Sequence, residues 1–171
     1  MDNMDDTKDK AGDEKKPIDL KELTRLLEGG VTTVAELRGI TREELEAVYA
    51  LAHDYYRTGR YDDAETLFRA LTMLDHLDEK YWMGLGAVHQ VKKQWDEAVK
   101  VYAMVSGAFD LKNVKAPYYA AECFLAKGDR VNAKAAIEHV KLYADVKTEV
   151  GRAFRAKALR LEKLMATAAA G

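Results

Sequence analysis

Residues 82–102, WMGLGAVHQVKKQWDEAVKVY, decide the fold. Trp82, Leu85 and Gly86, then Trp95, Ala98 and Tyr102, follow one another at helical steps, with the polar Lys92-Lys93-Gln94 between them. Each set is the inward stripe of one helix, and so short a break makes the two helices antiparallel neighbours. Gly84 and Gly86 sit inside the first helix, where each glycine costs about 1 kcal/mol relative to alanine. No strand precedes Gly84-x-Gly86, so the pair is a close-packing device and not a phosphate loop. Gly86 and Ala98 let the helix axes approach, while Trp82, Leu85 and Tyr102 fill the space around them.

The same hairpin recurs on both sides. Upstream stand Ala52, Tyr55, Gly59-Arg60-Tyr61, Ala64 and Phe68; downstream stand Ala120-Ala121, Phe124, Gly128-Asp129, Ala133 and Ile137. Ala64 to Ala98 is 34 residues and Ala98 to Ala133 is 35, so one residue is inserted before the last unit. This is the tetratricopeptide period, and the middle unit carries the W-x2-L-G half of its consensus, although the usual closing proline is missing from all three units. The fold expected is all-α: three tandem repeats over 41–145, N-terminal helices over 17–40 and a capping helix over 146–167. Three repeats are about the minimum for a stable stack, and its ends need caps with a polar outer face.

Local signals set the boundaries. Thr41 and Glu44 read as a capping box before the helix that Gly59 ends, and Asp78 caps the next repeat's first helix. Asp19 can cap a short helix carrying Leu20, Leu23, Leu26 and Leu27, stopped at Gly29-Gly30. Val150, Phe154, Ala158, Leu161 and Met165 make the stripe of the last helix. Residues 1–16 are charged, lack apolar periodicity and are expected to be disordered.

Composition narrows the function. Lysine plus arginine number 27 against 29 acidic residues, a formal charge of −2, which speaks against a general nucleic-acid or anionic-membrane binder. No apolar run approaches the roughly 20 residues of a membrane-spanning helix, and the N-terminus holds no secretory pattern. The single cysteine, Cys123, excludes an internal disulfide and fits a reducing cytosol. It sits beside packing positions and reads as a small buried apolar group. His53, His76, His89 and His139 have no metal-site spacing, and neither a cofactor nor catalysis has a supporting constellation. Arg152, Arg155, Lys157, Arg160 and Lys163 read as a solvated face.

What remains is a second stripe. The first helix of each repeat faces a concave surface through its second, fifth, ninth, twelfth and thirteenth positions. From these come the candidate groove residues: Tyr49, His53 and Tyr56; Met83, Ala87 and Gln90; Tyr118, Glu122 and Leu125. Val48, Leu51, Ala52 and Tyr55 already form the packing stripe of the first of these helices, so Tyr49, His53 and Tyr56 are surplus to the repeat core. Tyrosine rings bury much area and their hydroxyls pair with peptide backbone, which suits an extended peptide. The competing reading has Tyr49 and Tyr56 packing on the N-terminal helices.

In Leu27-Glu28-Gly29-Gly30, Leu45 to Leu51, Tyr56 through Tyr61 to Ala64, Leu74-Asp75-His76, Gly84 to Ala87 and Ala120-Ala121-Glu122-Cys123, the chain resembles the class II chaperones of bacterial type III secretion. The resemblance runs from Leu20 to Leu142. It implies a chaperone of the bacterial cytoplasm whose groove takes a short extended segment of a hydrophobic translocator, holding translocators soluble and apart before export. It also implies a homodimer through the N-terminal helices, here Leu20, Leu23 and Leu27, with no nucleic acid and no direct membrane insertion. An adaptor clamping an acidic peptide needs lysine and asparagine where Tyr49 and His53 stand. A regulator binding a transcription factor is the remaining alternative.

Overall fold

The structure is a computed structural model that describes residues 20–30 and 33–167, with backbone alone at 22, 23, 26 and 27. The chain divides into two units, Met1–Thr32 and Thr33–Gly171. The first contributes one described helix, α1 (Leu20–Glu28). Its Leu20 is exposed, whereas the side chains of Leu23 and Leu27 lie outside what is described, as do Asp19 and the whole of 1–16.

The second unit runs α2 (Val34–Arg38), α3 (Arg42–Arg57), α4 (Tyr61–Leu74), α5 (Glu79–Val91), α6 (Trp95–Ala108), α7 (Lys115–Ala126), α8 (Arg130–Tyr143) and α9 (Glu149–Thr167). No strand occurs among the described residues. Helices α3–α4, α5–α6 and α7–α8 are the three hairpins, each packed on the next, and α9 lies against α7 and α8. The architecture is therefore all-α and built of tetratricopeptide hairpins, as the 34-residue spacing requires.

The caps are physical. Thr41 Oγ1 accepts from the Glu44 amide at 3.2 Å, and Glu44 Oε2 accepts from the Thr41 amide at 2.7 Å. Thr33 and Glu36 form a second such box ahead of α2. Asp78 accepts from the Lys80 amide at the start of α5. The turn inside each hairpin needs one residue in the left-handed region. Gly59 (φ 81°) and Gly128 (φ 79°) supply it in the outer repeats, while Lys93 (φ 60°) supplies it in the middle one, where a side chain pays a steric cost that glycine avoids.

Ala52, Ala64, Ala98, Ala121 and Ala133 are all fully buried, which is where helix axes come closest. Phe68, Tyr81, Tyr102 and Ile137 are the large side chains filling the layers between them. Gly86 lies against Tyr102 and Gly84 against the Phe68 ring. Leu51 departs from the expected packing stripe: it is 44% exposed, while its partners Val48, Ala52 and Tyr55 turn inward.

Candidate peptide-binding groove

Helices α3, α5 and α7 line one groove of about 1120 Å³. That exceeds the roughly 300–1,000 Å³ of small-molecule pockets. Tyr49 and Tyr56 enter from α3, Met83, Ala87 and Gln90 from α5, and Glu122 and Leu125 from α7. One turn of α5 thus presents apolar surface and the next presents an amide.

The tyrosines are held by their neighbours. Tyr49 meets the Phe68 ring edge-on at 6.0 Å and Tyr81 at 5.8 Å, with Lys80 Nζ 5.0 Å from its centroid. Tyr56 lies 5.9 Å from Tyr61, and burial, then the neighbouring Tyr61, holds its phenol above the usual range. Lys80 bonds Glu46 and pairs with Asp78. Although burial of its amine opposes protonation, these carboxylates prevail and keep it charged beyond the ordinary lysine range.

A polar chain crosses the floor. The Tyr102 hydroxyl donates to Gln90 Oε1 at 2.9 Å, Gln90 Nε2 donates to Glu122 Oε2 at 3.0 Å, and the Tyr118 hydroxyl donates to Glu122 Oε1 at 2.6 Å. Burial raises the Tyr102 and Tyr118 phenols well above their usual range, so both remain donors at neutral pH.

Two expected residues lie elsewhere. His53 does not line this groove; it sits with Glu46, Tyr49, Ala50, Asp54 and Arg57 in a shallower depression on α3. Tyr118 is buried against α9, its ring edge 5.4 Å from Phe154. The capping helix covers the fifth position of the last repeat, and Tyr119 lines the groove instead, stacked on Tyr102 at 5.7 Å. Leu161 of α9 also reaches the groove. Part of the signal was present in the sequence: the Phe154, Ala158, Leu161 stripe had to find apolar partners, and Phe154 meets both Tyr118 and Tyr119 edge-on.

Cys123 is fully buried, and burial, then the nearby Glu122, pushes its thiol up to about 12, which disfavours the reactive thiolate at neutral pH. No cluster of metal-ligating side chains occurs among the described residues. None of the described helices is long and apolar enough to cross a membrane.

Stacked hairpins around an aromatic groove define a tetratricopeptide-repeat protein, and a family model described as "Tetratricopeptide repeat" matches residues 45–78 and 80–104. Low calcium response locus protein H of Yersinia pestis is 40% identical over 111 residues, 65% of this chain. That match spans 65% of the Yersinia protein's own length. Chaperone protein SicA of Salmonella typhimurium is 36% identical over 138 residues, 80% of this chain and 79% of that protein. The type III secretion translocator chaperone SycD of Yersinia enterocolitica superposes with a TM-score of 0.73 at 34% identity, covering 78% of this chain and 99% of SycD. SycD solved in complex with a peptide of the translocator YopD superposes with a TM-score of 0.64 at 31% identity, covering 74% and 98% of the two chains. The chain belongs to the family of type III secretion translocator chaperones.

Proposed function

We propose that this protein is a chaperone of the bacterial cytoplasm that binds an extended segment of a hydrophobic translocator in the groove of α3, α5 and α7. The bound segment is thereby kept from aggregation and from premature assembly until export. No nucleotide is consumed: burial of the segment's apolar side chains against Tyr49, Tyr56, Met83 and Leu125 supplies the free energy. The observation that carries this reading is the groove itself, larger in volume than a typical small-molecule pocket and lined from all three repeats. The peptide complex of SycD, a relative of the same fold, supports it. Residues 17–40, with Leu20, Leu23 and Leu27, are proposed to mediate a homodimer; SycD has itself been solved as an alternative dimer.

Co-expression tests the proposal. A cognate hydrophobic translocator produced alone is expected in the insoluble fraction, and produced with this chain it is expected to be soluble and to co-purify. A translocator that stays insoluble, or that is soluble without co-purifying, counts against the assignment.

A further inference from the structure

The groove floor carries a carboxylate, Glu122, that no ion pair of the groove neutralises. Glu122 is half-buried, and each carboxylate oxygen accepts one hydrogen bond, from the neutral Tyr118 hydroxyl and the neutral Gln90 amide. These donors fix the carboxylate without compensating it. The ion pairs formed among the described residues do not include Glu122. Of the groove's other acids, Asp78 pairs with Lys80, while Glu79, at the start of α5, accepts from the neutral Asn113 Nδ2 at 2.6 Å.

A wholly apolar segment laid over Glu122 would strip water from the carboxylate and return nothing, the costly case for a buried charge. Tyr119 stands three residues earlier on α7 and lines the same groove, so ring and carboxylate are neighbours on one helix face. An aromatic face beside a carboxylate receives an organic cation: the ring attracts it and the carboxylate pairs with it. Lys93, after α5, and Lys115, the first residue of α7, also line the groove, the latter at the end that carries Asp78 and Glu79.

Resting on the proposed function, we propose that the bound translocator segment places a lysine or arginine side chain against Glu122 and Tyr119. This contact sets the register in which the apolar anchors on either side meet the groove. Area burial alone would let an extended apolar segment slide, whereas one charge pair at a fixed point selects a single alignment.

The test is fluorescence anisotropy with labelled 15-residue synthetic peptides tiled across the translocator, measured against wild type and Glu122→Gln. In the tightest peptide, replacing one lysine or arginine by norleucine is expected to weaken binding to wild type by about tenfold. The same replacement is expected to change binding to Glu122→Gln little, because the two changes remove one interaction. The proposal is overturned if that replacement costs the same in both proteins, or if the tightest peptide has no basic residue. Tight binding that Tyr49→Ala plus Tyr56→Ala abolishes but Glu122→Gln leaves intact overturns the cation contact alone. Peptides that bind wild type nowhere overturn the groove reading with it. Should Glu122→Gln lose its helical circular dichroism, salt titration of wild type decides: the lysine peptide must weaken with salt more than its norleucine twin.

Discussion

Replacing Tyr49 and Tyr56 together by alanine is expected to weaken binding of a translocator segment by about 30-fold, since interface tyrosines of this kind each contribute ~1 kcal/mol. Both rings line the groove. Each is half-buried and braced by another ring, so little rotamer freedom is lost when a peptide lands on them. Tyr49 also touches the fully buried Phe68 and Tyr81, so its loss lowers stability as well. The binding titration is therefore read beside circular dichroism at the same temperature. A double variant that stays helical and binds as wild type does would remove the groove from the mechanism. Tyr143→Ala, outside the groove and 39% exposed, serves as the control expected to leave binding unchanged.

The second large effect concerns the packing that holds the groove open. Intrinsic helix propensity says that Gly86→Ala should stabilise α5 by about 1 kcal/mol. The structure reverses the sign. A Cβ at Gly86 would stand 2.5 Å from Tyr102 Cε1 and 2.9 Å from its Cζ. The Tyr102 ring is fully buried and its hydroxyl is tied to Gln90, so relieving the overlap shifts a packed ring and strains that hydrogen bond. The net expectation is a loss of about 2 kcal/mol, a fall in melting temperature of about 4–8 °C for a domain of this size. Gly107 of α6 is the matched control: nothing lies within 4 Å of its Cβ position. Gly107→Ala should raise the melting temperature slightly. Equal shifts for the two variants in thermal unfolding would mean that close packing at Gly86 does not govern stability. Because Gln90 also holds Glu122, displacing Tyr102 should loosen the groove floor too.

The repeat was legible because its physics is local and periodic. Small residues at Ala64, Ala98 and Ala133 mark where helix axes approach, and each is fully buried. Boundaries were legible where side-chain capping sets them, as at Thr41 and Asp78. The groove was less legible, because repeat positions say which way a residue points within its hairpin and nothing of what packs on the end of the stack. Helix α9 seats Phe154 against both Tyr118 and Tyr119, burying the first ring and leaving the second half-exposed along the groove. His53 shares a helix face with Tyr49, their ring centroids 6.3 Å apart, yet it lines an adjoining depression that Tyr49 also borders. Tyr81 was hidden for another reason: the consensus draws attention to Trp82, while its neighbour is the ring that is 1% exposed and supports Tyr49. The polar chain from Tyr102 to Tyr118 joins α6, α5 and α7, so no single-helix pattern could reveal it.

Site-specific photo-crosslinking tests the central claim most directly. A benzophenone side chain is placed at Leu125, which lines the groove, and separately at Met73 of α4, which is 73% exposed and lies outside it. Each variant is irradiated in complex with the co-expressed translocator. Crosslinking at Leu125 to one short translocator segment, with none at Met73, is the predicted result. Crosslinking at Met73 with Leu125 silent would contradict it, because the translocator would then lie on a surface the groove does not reach.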